Sequence, residues 1–205
     1  MNKIAHDTLI LFAITVVAGF GLGAVHEITA EPIEEAEYET QQEAYNTVFP
    51  DAAEFVDLPD FDTEDATAIV TEAGYPDSID NCVQAVDDSG SLLGYVITVT
   101  DPDGYGGSIT FSIGVTVDGT LNGYSITDIS ETPGLGMKSQ EEEFSSQFED
   151  KQVETFTVTK TGSTDDSEID AISGATITSN AVTSGVNAGL VYYRDLIETT
   201  GGELL

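Results

Sequence analysis

Eighteen consecutive residues without a charged side chain, from Thr8 to Val25, constrain this chain more than any other feature of its sequence. As an α-helix the run would be about 27 Å long, close to the thickness of the hydrocarbon core of a bilayer. A cleaved secretory signal would need an A-x-A-like site, and the residues after Val25 offer a poor one. A buried helix of a soluble fold seldom lacks charges over such a length. The sequence therefore predicts a retained single membrane span.

The charges that flank this run predict its orientation. Lys3 and the N-terminal amine precede it, whereas the segment that follows is rich in glutamate and has no Lys or Arg. Since basic residues mark the cytoplasmic side of a span, we expect the N-terminus inside the cell and the rest of the chain outside it. The predicted organisation is a cytoplasmic N-terminus and transmembrane anchor over 1–30, a linking helix over 31–50 and an extracytoplasmic domain over 51–205.

The outer part of the chain is extremely acidic. Of the 38 Asp and Glu and the 5 Lys and Arg, Asp7, Glu27 and Lys3 lie before residue 31, so 36 acids and 4 bases remain, a charge of −32. This charge excludes nucleic acid as a partner. Any single acid cluster is typical of a solvated face, but the whole pattern indicates adaptation to a salty exterior, as in a halophile. Hydrophobic residues still make up 40% of the chain, enough for one ordinary core.

The supply of cysteine and histidine limits the chemistry of the outer domain. Cys82 is the only cysteine, so it can neither close an internal disulfide nor build an iron–sulfur or zinc site. The two histidines, His6 and His26, flank the apolar run. We expect no metal site and no histidine-based catalysis in the domain, and any redox chemistry there requires an organic cofactor.

Patterns of hydrophobic residues predict an α+β fold, in which an antiparallel sheet of about four strands is flanked by helices. The segment 109–117 alternates apolar and polar residues, as a strand with one buried face does, and Asp118-Gly119 supplies a hairpin turn. Phe144 and Phe148 are expected to anchor an acidic helix. The predicted helices are 34–48, 139–149 and 177–197, the predicted strands are 82–86, 92–99, 109–117, 124–129 and 155–159, and short strands joined by turns are expected within 51–80.

The last predicted helix carries a stripe of small residues, Ala181, Gly185, Ala188 and Gly189. Such a stripe allows another surface to approach the helix backbone closely. Because several residues of this segment are poor helix formers, packing or a ligand must hold the helix.

A group of hydroxyl residues precedes and opens this helix. Ser173, Thr176 and Thr178 lie among small residues at a predicted helix N-terminus, where free backbone N–H groups and the helix dipole favour a phosphate. An ordinary N-cap made by one of these hydroxyls would give the same local pattern.

The motif D-x-x-S-G-A-T, which runs from Asp170 to Thr176, resembles the recognition sequence of a flavin transferase. That enzyme joins FMN through its phosphate to a threonine hydroxyl. The resemblance implies that Thr176 carries covalent FMN as a phosphoester and that Asp170, Ser173, Gly174 and Ala175 form the rest of the attachment site. Gly174 and Ala175 would leave the Thr176 hydroxyl accessible.

The resemblance extends along almost the whole chain. The segments V-F-P-D-A at 48–52, G-Y-G-G at 104–107 and E-T-P-G-L-G at 131–136, together with the single span, resemble the G subunit of the Rnf electron-transport complex. This family implies a flavinylated electron carrier in a membrane complex that couples ferredoxin and NAD oxidoreduction to ion transport. The chain would then be one component of a translocase, without catalytic residues of its own, and its partners would be the other Rnf subunits and, during maturation, the flavin transferase.

In that family the E-T-P-G-L-G loop lies near the flavin. The resemblance therefore implies a cofactor-binding role for further residues: Thr132, Pro133, Gly134, Leu135, Gly136, Lys138 and Tyr105. The acidity of the chain leaves few basic groups for the FMN phosphate, so we expect backbone N–H groups to bind it.

Three alternatives to the Rnf interpretation stay open at this point. The C subunit of sodium-translocating NADH:quinone reductase shares the flavinyl motif but is usually longer. The same motif also occurs in domains that feed electrons to a reductase partner. A membrane-anchored extracytoplasmic binding domain without flavin would have the same span and orientation.

Overall fold

A computed structural model gives the structure of residues 3–200. These residues form two compact units, one up to Thr40 and one from Gln41 onward. Helix α1 (Lys3–Val48) makes up the first unit and contributes its last two turns to the second. The predicted linking helix is thus the C-terminal part of α1 and not a separate element.

The apolar part of α1 is exposed along its whole length. An 18-residue window of this helix has a mean hydropathy of 2.3, so by length and composition α1 is able to cross a membrane. This property is consistent with a single-pass membrane anchor.

The second unit is built on a five-stranded antiparallel sheet, in which the strands follow one another in sequence order. The α+β fold class is therefore confirmed, with one strand more than expected. The strands of the sheet are β1 (Glu54–Asp57), β2 (Ser78–Val86), β3 (Leu92–Asp101), β4 (Ile109–Thr116) and β5 (Leu121–Ile129), and the remaining elements are α2 (Thr63–Glu72), α3 (Glu142–Ser145), β6 (Thr157–Thr159), β7 (Glu168–Asp170) and α4 (Thr176–Thr200).

Helix α2 corrects the expectation of short strands throughout 51–80. The Asp62 carboxylate accepts hydrogen bonds from the backbone N–H groups of Glu64 and Asp65, at 2.9 and 3.0 Å, and so caps the helix. Ala66 and Val70, four residues apart, are its buried positions. The apolar triplet at 68–70 belongs to this amphipathic helix and not to a strand.

The predicted acidic helix over 139–149 is also wrong in its form. The structure has 3-10 turns at Gly136–Gln140 and Ser146–Phe148 with the single-turn α3 between them. Glu141 has an extended backbone, with φ of −81° and ψ of 143°, and so separates the first 3-10 turn from α3. The Tyr124 hydroxyl donates to the Ser139 carbonyl in that first turn. Phe144 and Phe148 are buried as expected, with ring centroids 5.7 Å apart.

The predicted strand at 155–159 is shorter in the structure. It is β6, and it pairs in parallel with β7, which the sequence patterns did not predict. The Asn187 side chain of α4 holds the chain just before β6, because it accepts from the Phe156 N–H at 2.8 Å and donates to the Phe156 carbonyl at 3.0 Å.

Strand β4 is buried on both faces, although its alternation predicted one buried face. On one face, the rings and methyls of Phe111 and Ile113 fit against Gly185 and Gly189 of α4, where an added Cβ would lie 2.6 Å and 2.4 Å from them. The small-residue stripe of α4 therefore packs closely against the sheet, as its composition indicated.

The other face of β4 is covered by the end of α1. Tyr45, Val48 and Phe49 form a second buried cluster with residues of β2 and β3. The Asn122 side chain of β5 donates to the Val48 carbonyl at 2.8 Å and satisfies a carbonyl at the end of α1. A remote segment of the chain thus decides that this face is buried.

Replacing Gly114 of β4 with alanine should lower the free energy of unfolding by about 1–3 kcal/mol. The new Cβ would lie 2.8 Å from Val48 Cβ and 2.9 Å from the Val48 carbonyl oxygen, so the end of α1 would have to move. Denaturant unfolding measures the loss. Thr157→Ala, at an exposed strand position, is the control and should stay within about 0.5 kcal/mol of the parent. Equal stabilities of the two variants would contradict this packing.

Candidate functional site: a cleft at the N-terminus of the last helix

A tight turn leads into α4. The Ala175 N–H donates to the Ile172 carbonyl at 3.0 Å, and Gly174 has a φ of +82°, a conformation that favours glycine. The buried Ser179 hydroxyl accepts from the Ile172 N–H and donates to the Ala175 carbonyl, both at 3.0 Å. Ser179, from inside the helix, therefore fixes the turn that presents Thr176.

The hydroxyls of Ser173, Thr176 and Thr178 do not cap the helix. Within residues 3–200, none of the three forms a side-chain hydrogen bond. The N-cap interpretation of these hydroxyls is therefore not supported by the geometry. Thr176 is the first residue of α4 and is partly exposed, and Thr178 is buried.

The backbone at the start of α4 has unused hydrogen-bond donors. The N–H groups of Thr176, Ile177 and Thr178 donate to no group of the described chain that precedes the helix. Such groups, together with the dipole of a 25-residue helix, stabilise an anion.

The E-T-P-G-L-G segment forms a turn opposite α4. The Leu135 N–H donates to the Thr132 carbonyl at 3.1 Å, and Gly134 has a φ of +76°, as the third position of a type II turn requires. Pro133 and Gly134 are exposed at the tip of this turn. The Leu135 side chain lies beside Gly174, where an added Cβ would be 3.3 Å from Leu135 Cδ2.

A buried carboxylate joins this turn to the G-Y-G-G loop. Glu131 Oε1 accepts from the N–H of Tyr105 at 2.7 Å and from that of Gly106 at 3.3 Å. Glu131 Oε2 would lie 2.4 Å from a Cβ on Gly136, so only glycine leaves room for the carboxylate there. Glu131 thereby positions both loops.

The two loops and the start of α4 enclose a cleft of about 590 Å³, within the range of small-molecule sites. Tyr105, Leu135 and Ile177 are exposed apolar side chains on it, at 71%, 43% and 51% of their full exposure. No Lys or Arg is among its lining residues, which are Tyr105, Glu131, Thr132, Leu135, Gly136, Gly174, Ala175, Thr176, Ile177 and Thr178.

The cleft brings together seven of the residues to which the resemblance gives a cofactor-binding role: Tyr105, Thr132, Leu135, Gly136, Gly174, Ala175 and Thr176. Lys138, Asp170 and Ser173 instead line a neighbouring cleft of about 460 Å³. The Asp170 N–H donates to the Gln147 side chain at 2.7 Å, which holds the start of the motif in place.

Sequence reasoning missed two lining residues, Glu131 and Ile177, whereas it had already named Thr178 as a hydroxyl at the helix N-terminus. Glu131 begins the quoted E-T-P-G-L-G segment, and a carboxylate next to a glycine-rich turn was the available signal. Ile177 follows Thr176 in the first helical turn, so the predicted start of the helix already placed it at the helix N-terminus.

The chain is similar in sequence to a known domain family and to known proteins. Residues 104–191 match the FMN-binding domain family. The chain is 36% identical over 192 residues to the G subunit of the Na(+)-translocating ferredoxin:NAD(+) oxidoreductase complex of Acetobacterium woodii, covering 92% of this chain and 90% of that protein. The chain belongs to this G subunit family. It is also 32% identical to the G subunit of the ion-translocating oxidoreductase complex of Methanosarcina acetivorans, over 93% of this chain and 95% of that one.

Membership in the G subunit family confirms the resemblance found in the sequence, and the matched FMN-binding domain contains both loops of the cleft and Thr176. Among solved structures, NqrC of Shewanella oneidensis is similar with a TM-score of 0.49 and 23% identity, over 62% of this chain and 61% of that one.

Proposed function

We propose that this member of the G subunit family is a covalently flavinylated electron carrier within a membrane-bound, ion-translocating ferredoxin:NAD oxidoreductase of the Rnf type. The observation that carries this proposal is the position of Thr176, the first residue of α4, in a cleft that also contains three unused backbone N–H groups. Relatives that match over nine tenths of both chains are named as subunits of such complexes, which favours Rnf over the C subunit of a quinone reductase.

The cleft suits FMN at both ends of that molecule. The Thr176 hydroxyl would carry the phosphoester, and the N–H groups of Thr176, Ile177 and Thr178 would stabilise the remaining phosphate charge. The exposed side chains of Tyr105, Leu135 and Ile177 offer apolar surface to a flat ring. Bound FMN would supply the electron transfer, and Glu131 would keep the two loops around it in position.

The composition of the cleft favours a carrier over a complete reductase. Among the residues that line it, Glu131 is the one carboxylic acid, and its Oε1 already accepts two backbone hydrogen bonds. Such a carboxylate is not free to act as a proton donor to a substrate. The other Rnf subunits would therefore supply and accept the electrons, and a flavin transferase would attach the cofactor.

Mass spectrometry of the chain from native membranes tests the proposal. The denatured chain should exceed its sequence mass by one FMN less one water, and fragmentation should place the increment on Thr176. A chain of unmodified mass from active membranes would contradict the covalent attachment.

The second part of the proposal concerns topology. The asymmetry between Lys3 and the acidic segment after the span supports a cytoplasmic N-terminus and an extracytoplasmic domain. A protease added to intact cells stripped of their wall should digest the domain and spare an N-terminal tag. Inside-out vesicles are the control and should give the opposite pattern. Protection of the domain in intact cells would mean that the orientation is reversed.

A further inference from the structure

Two aspartates are buried together beneath α4, and neither is among the residues that line the cofactor cleft. Asp77 precedes β2 and Asp101 ends β3, and neither is exposed to solvent. The Ser184 hydroxyl of α4 donates to Asp77 Oδ2 at 2.9 Å. The Asp103 N–H donates to Asp101 Oδ1 at 2.7 Å. In each carboxyl group, one oxygen thus accepts a hydrogen bond from a neighbouring residue.

The other two oxygens have no such donor. Asp77 Oδ1 and Asp101 Oδ2 are buried without a hydrogen-bond donor among residues 3–200. Ser78 pairs with Thr100 at the end of the antiparallel β2–β3 ladder, so Asp77 and Asp101 stand opposite each other one position beyond it. Neither aspartate belongs to an ion pair in the described part of the chain. Two ionised carboxylates in this arrangement would repel each other and leave two buried acceptors unsatisfied.

One proton bound between the two carboxyl groups removes both the repulsion and the unsatisfied acceptors. If Asp77 Oδ1 carries a hydrogen, it donates to Asp101 Oδ2, and all four oxygens then have a partner. The pair would keep one negative charge, which the Asp103 N–H stabilises at Asp101 Oδ1.

We propose that Asp77 and Asp101 form a buried proton-binding site in which one shared proton joins the end of β3 to the segment before β2 and, through Ser184, to α4. Burial, the charge of Asp101 and the mutual hydrogen bond together raise the pKa of Asp77 to about 8. Burial also raises the pKa of Asp101. Asp103 is the other charged group that acts on the pair, and α4 contributes only the neutral Ser184 hydroxyl.

The site makes the stability of the protein depend on pH. An unfolded aspartate has a pKa of 3.8, whereas Asp77 in the folded chain keeps its proton up to about pH 8. Between these values the folded state binds one proton more than the unfolded state, so stability falls as the pH rises. The unfolding equilibrium constant should increase up to about tenfold per pH unit from this pair alone, and the contribution should level off above about pH 8.

Asp77→Asn is the informative variant. Its amide N–H replaces the acid O–H as donor to Asp101, and its amide oxygen still accepts from Ser184. The variant should fold. Its unfolding equilibrium constant should no longer show the increase between pH 5 and 8 that the pair causes in the parent chain. Asp128→Asn makes the same Asp-to-Asn substitution at an exposed position of β5, outside the pair, and it should keep the parent slope.

Infrared spectroscopy of the full chain detects the proton directly. At pH 6–7 carboxyl groups of ordinary pKa are ionised, so the carbonyl stretch of a protonated acid reports the shared proton. The parent chain and Asp128→Asn should show this band and lose it near pH 8, and Asp77→Asn should lack it at pH 6–7. Absence of the band from the parent chain overturns the proposal, whether or not Asp77→Asn folds. Stabilisation of the band-free parent by Na⁺ or Ca²⁺, but not of Asp77→Asn, would assign the pair to a cation instead.

Discussion

Replacing Thr176 with alanine should remove all covalently bound flavin from the chain. The Thr176 hydroxyl is the group that would form the phosphoester, and the neighbouring hydroxyls of Ser173 and Thr178 differ from it in position, one before the helix and one buried in its first turn. We expect no flavin fluorescence in the denatured protein band of Thr176→Ala when the chain is produced with a flavin transferase. Fluorescence on a denaturing gel, calibrated against the parent chain, measures the loss.

Two further variants control for damage to the cleft. Thr176→Ser keeps a hydroxyl at the same position and should retain measurable attachment. Thr178→Ala removes the hydroxyl two residues further along the helix and should remain flavinylated. Thermal unfolding should show that Thr176→Ala is folded, since its side chain makes no hydrogen bond within the described chain. Full fluorescence in Thr176→Ala, or its loss in Thr178→Ala alone, would move the attachment point away from Thr176.

The melting temperature of the protein should rise steeply between low salt and molar salt. A charge of −32 beyond residue 30 destabilises the compact state by self-repulsion. The Debye length falls from about 10 Å at 0.1 M salt to about 3 Å at 1 M, so the repulsion is largely screened at the higher concentration. Each 1 kcal/mol of relieved repulsion should raise the melting temperature by about 2–4 °C in a chain of this size.

Some acidic side chains are stabilised within their own turns, although the chain as a whole repels itself. The carboxylates of Asp87, Asp118 and Asp165 accept hydrogen bonds from hydroxyls and N–H groups within their own turns, which lowers the pKa of each. Single clusters are thus ordinary solvated turns. Salt bridges offer little further compensation, because Lys151–Asp166 is the one ion pair found in 41–200.

Calorimetry in NaCl and in KCl, on the full chain in detergent, measures the salt effect. Changing Glu141, Glu142 and Glu143 together to glutamine should raise the low-salt melting temperature and reduce the salt dependence. A melting temperature that stays flat in both salts would show that the charge is accommodated in another way, such as by bound divalent ions or partner subunits.

The sequence predicted those parts of the fold that depend on local patterns. Alternation and turn residues located β2 to β5, and the spacing of apolar residues located α4, because these signals lie within the element itself. Segments that depend on remote partners were not predictable in this way. The segment of the expected acidic helix is bound by the Tyr124 hydroxyl of β5, and the end of α1 buries the second face of β4.

In the candidate site, too, the sequence predicted what is contiguous and not what depends on remote contacts. Motifs located Thr176 and the turn at Thr132 to Gly136, since each is contiguous in the sequence. The role of Glu131 depends on its hydrogen bonds to a loop 26 residues earlier. Asp77 and Asp101 come from separate segments, and only the folded chain shows that they share a buried space.

The position of the last turns of α1 determines where the chain can be cut. Tyr45 and Val48, with Phe49 directly after them, are part of the buried core of the second unit, although the helix that carries the first two begins with the apolar run. A fragment starting at residue 51, the predicted start of the outer domain, would leave one face of the sheet bare. A soluble fragment intended for crystallisation or titration therefore has to begin at Gln41 or earlier, so that it carries its own cover for that face.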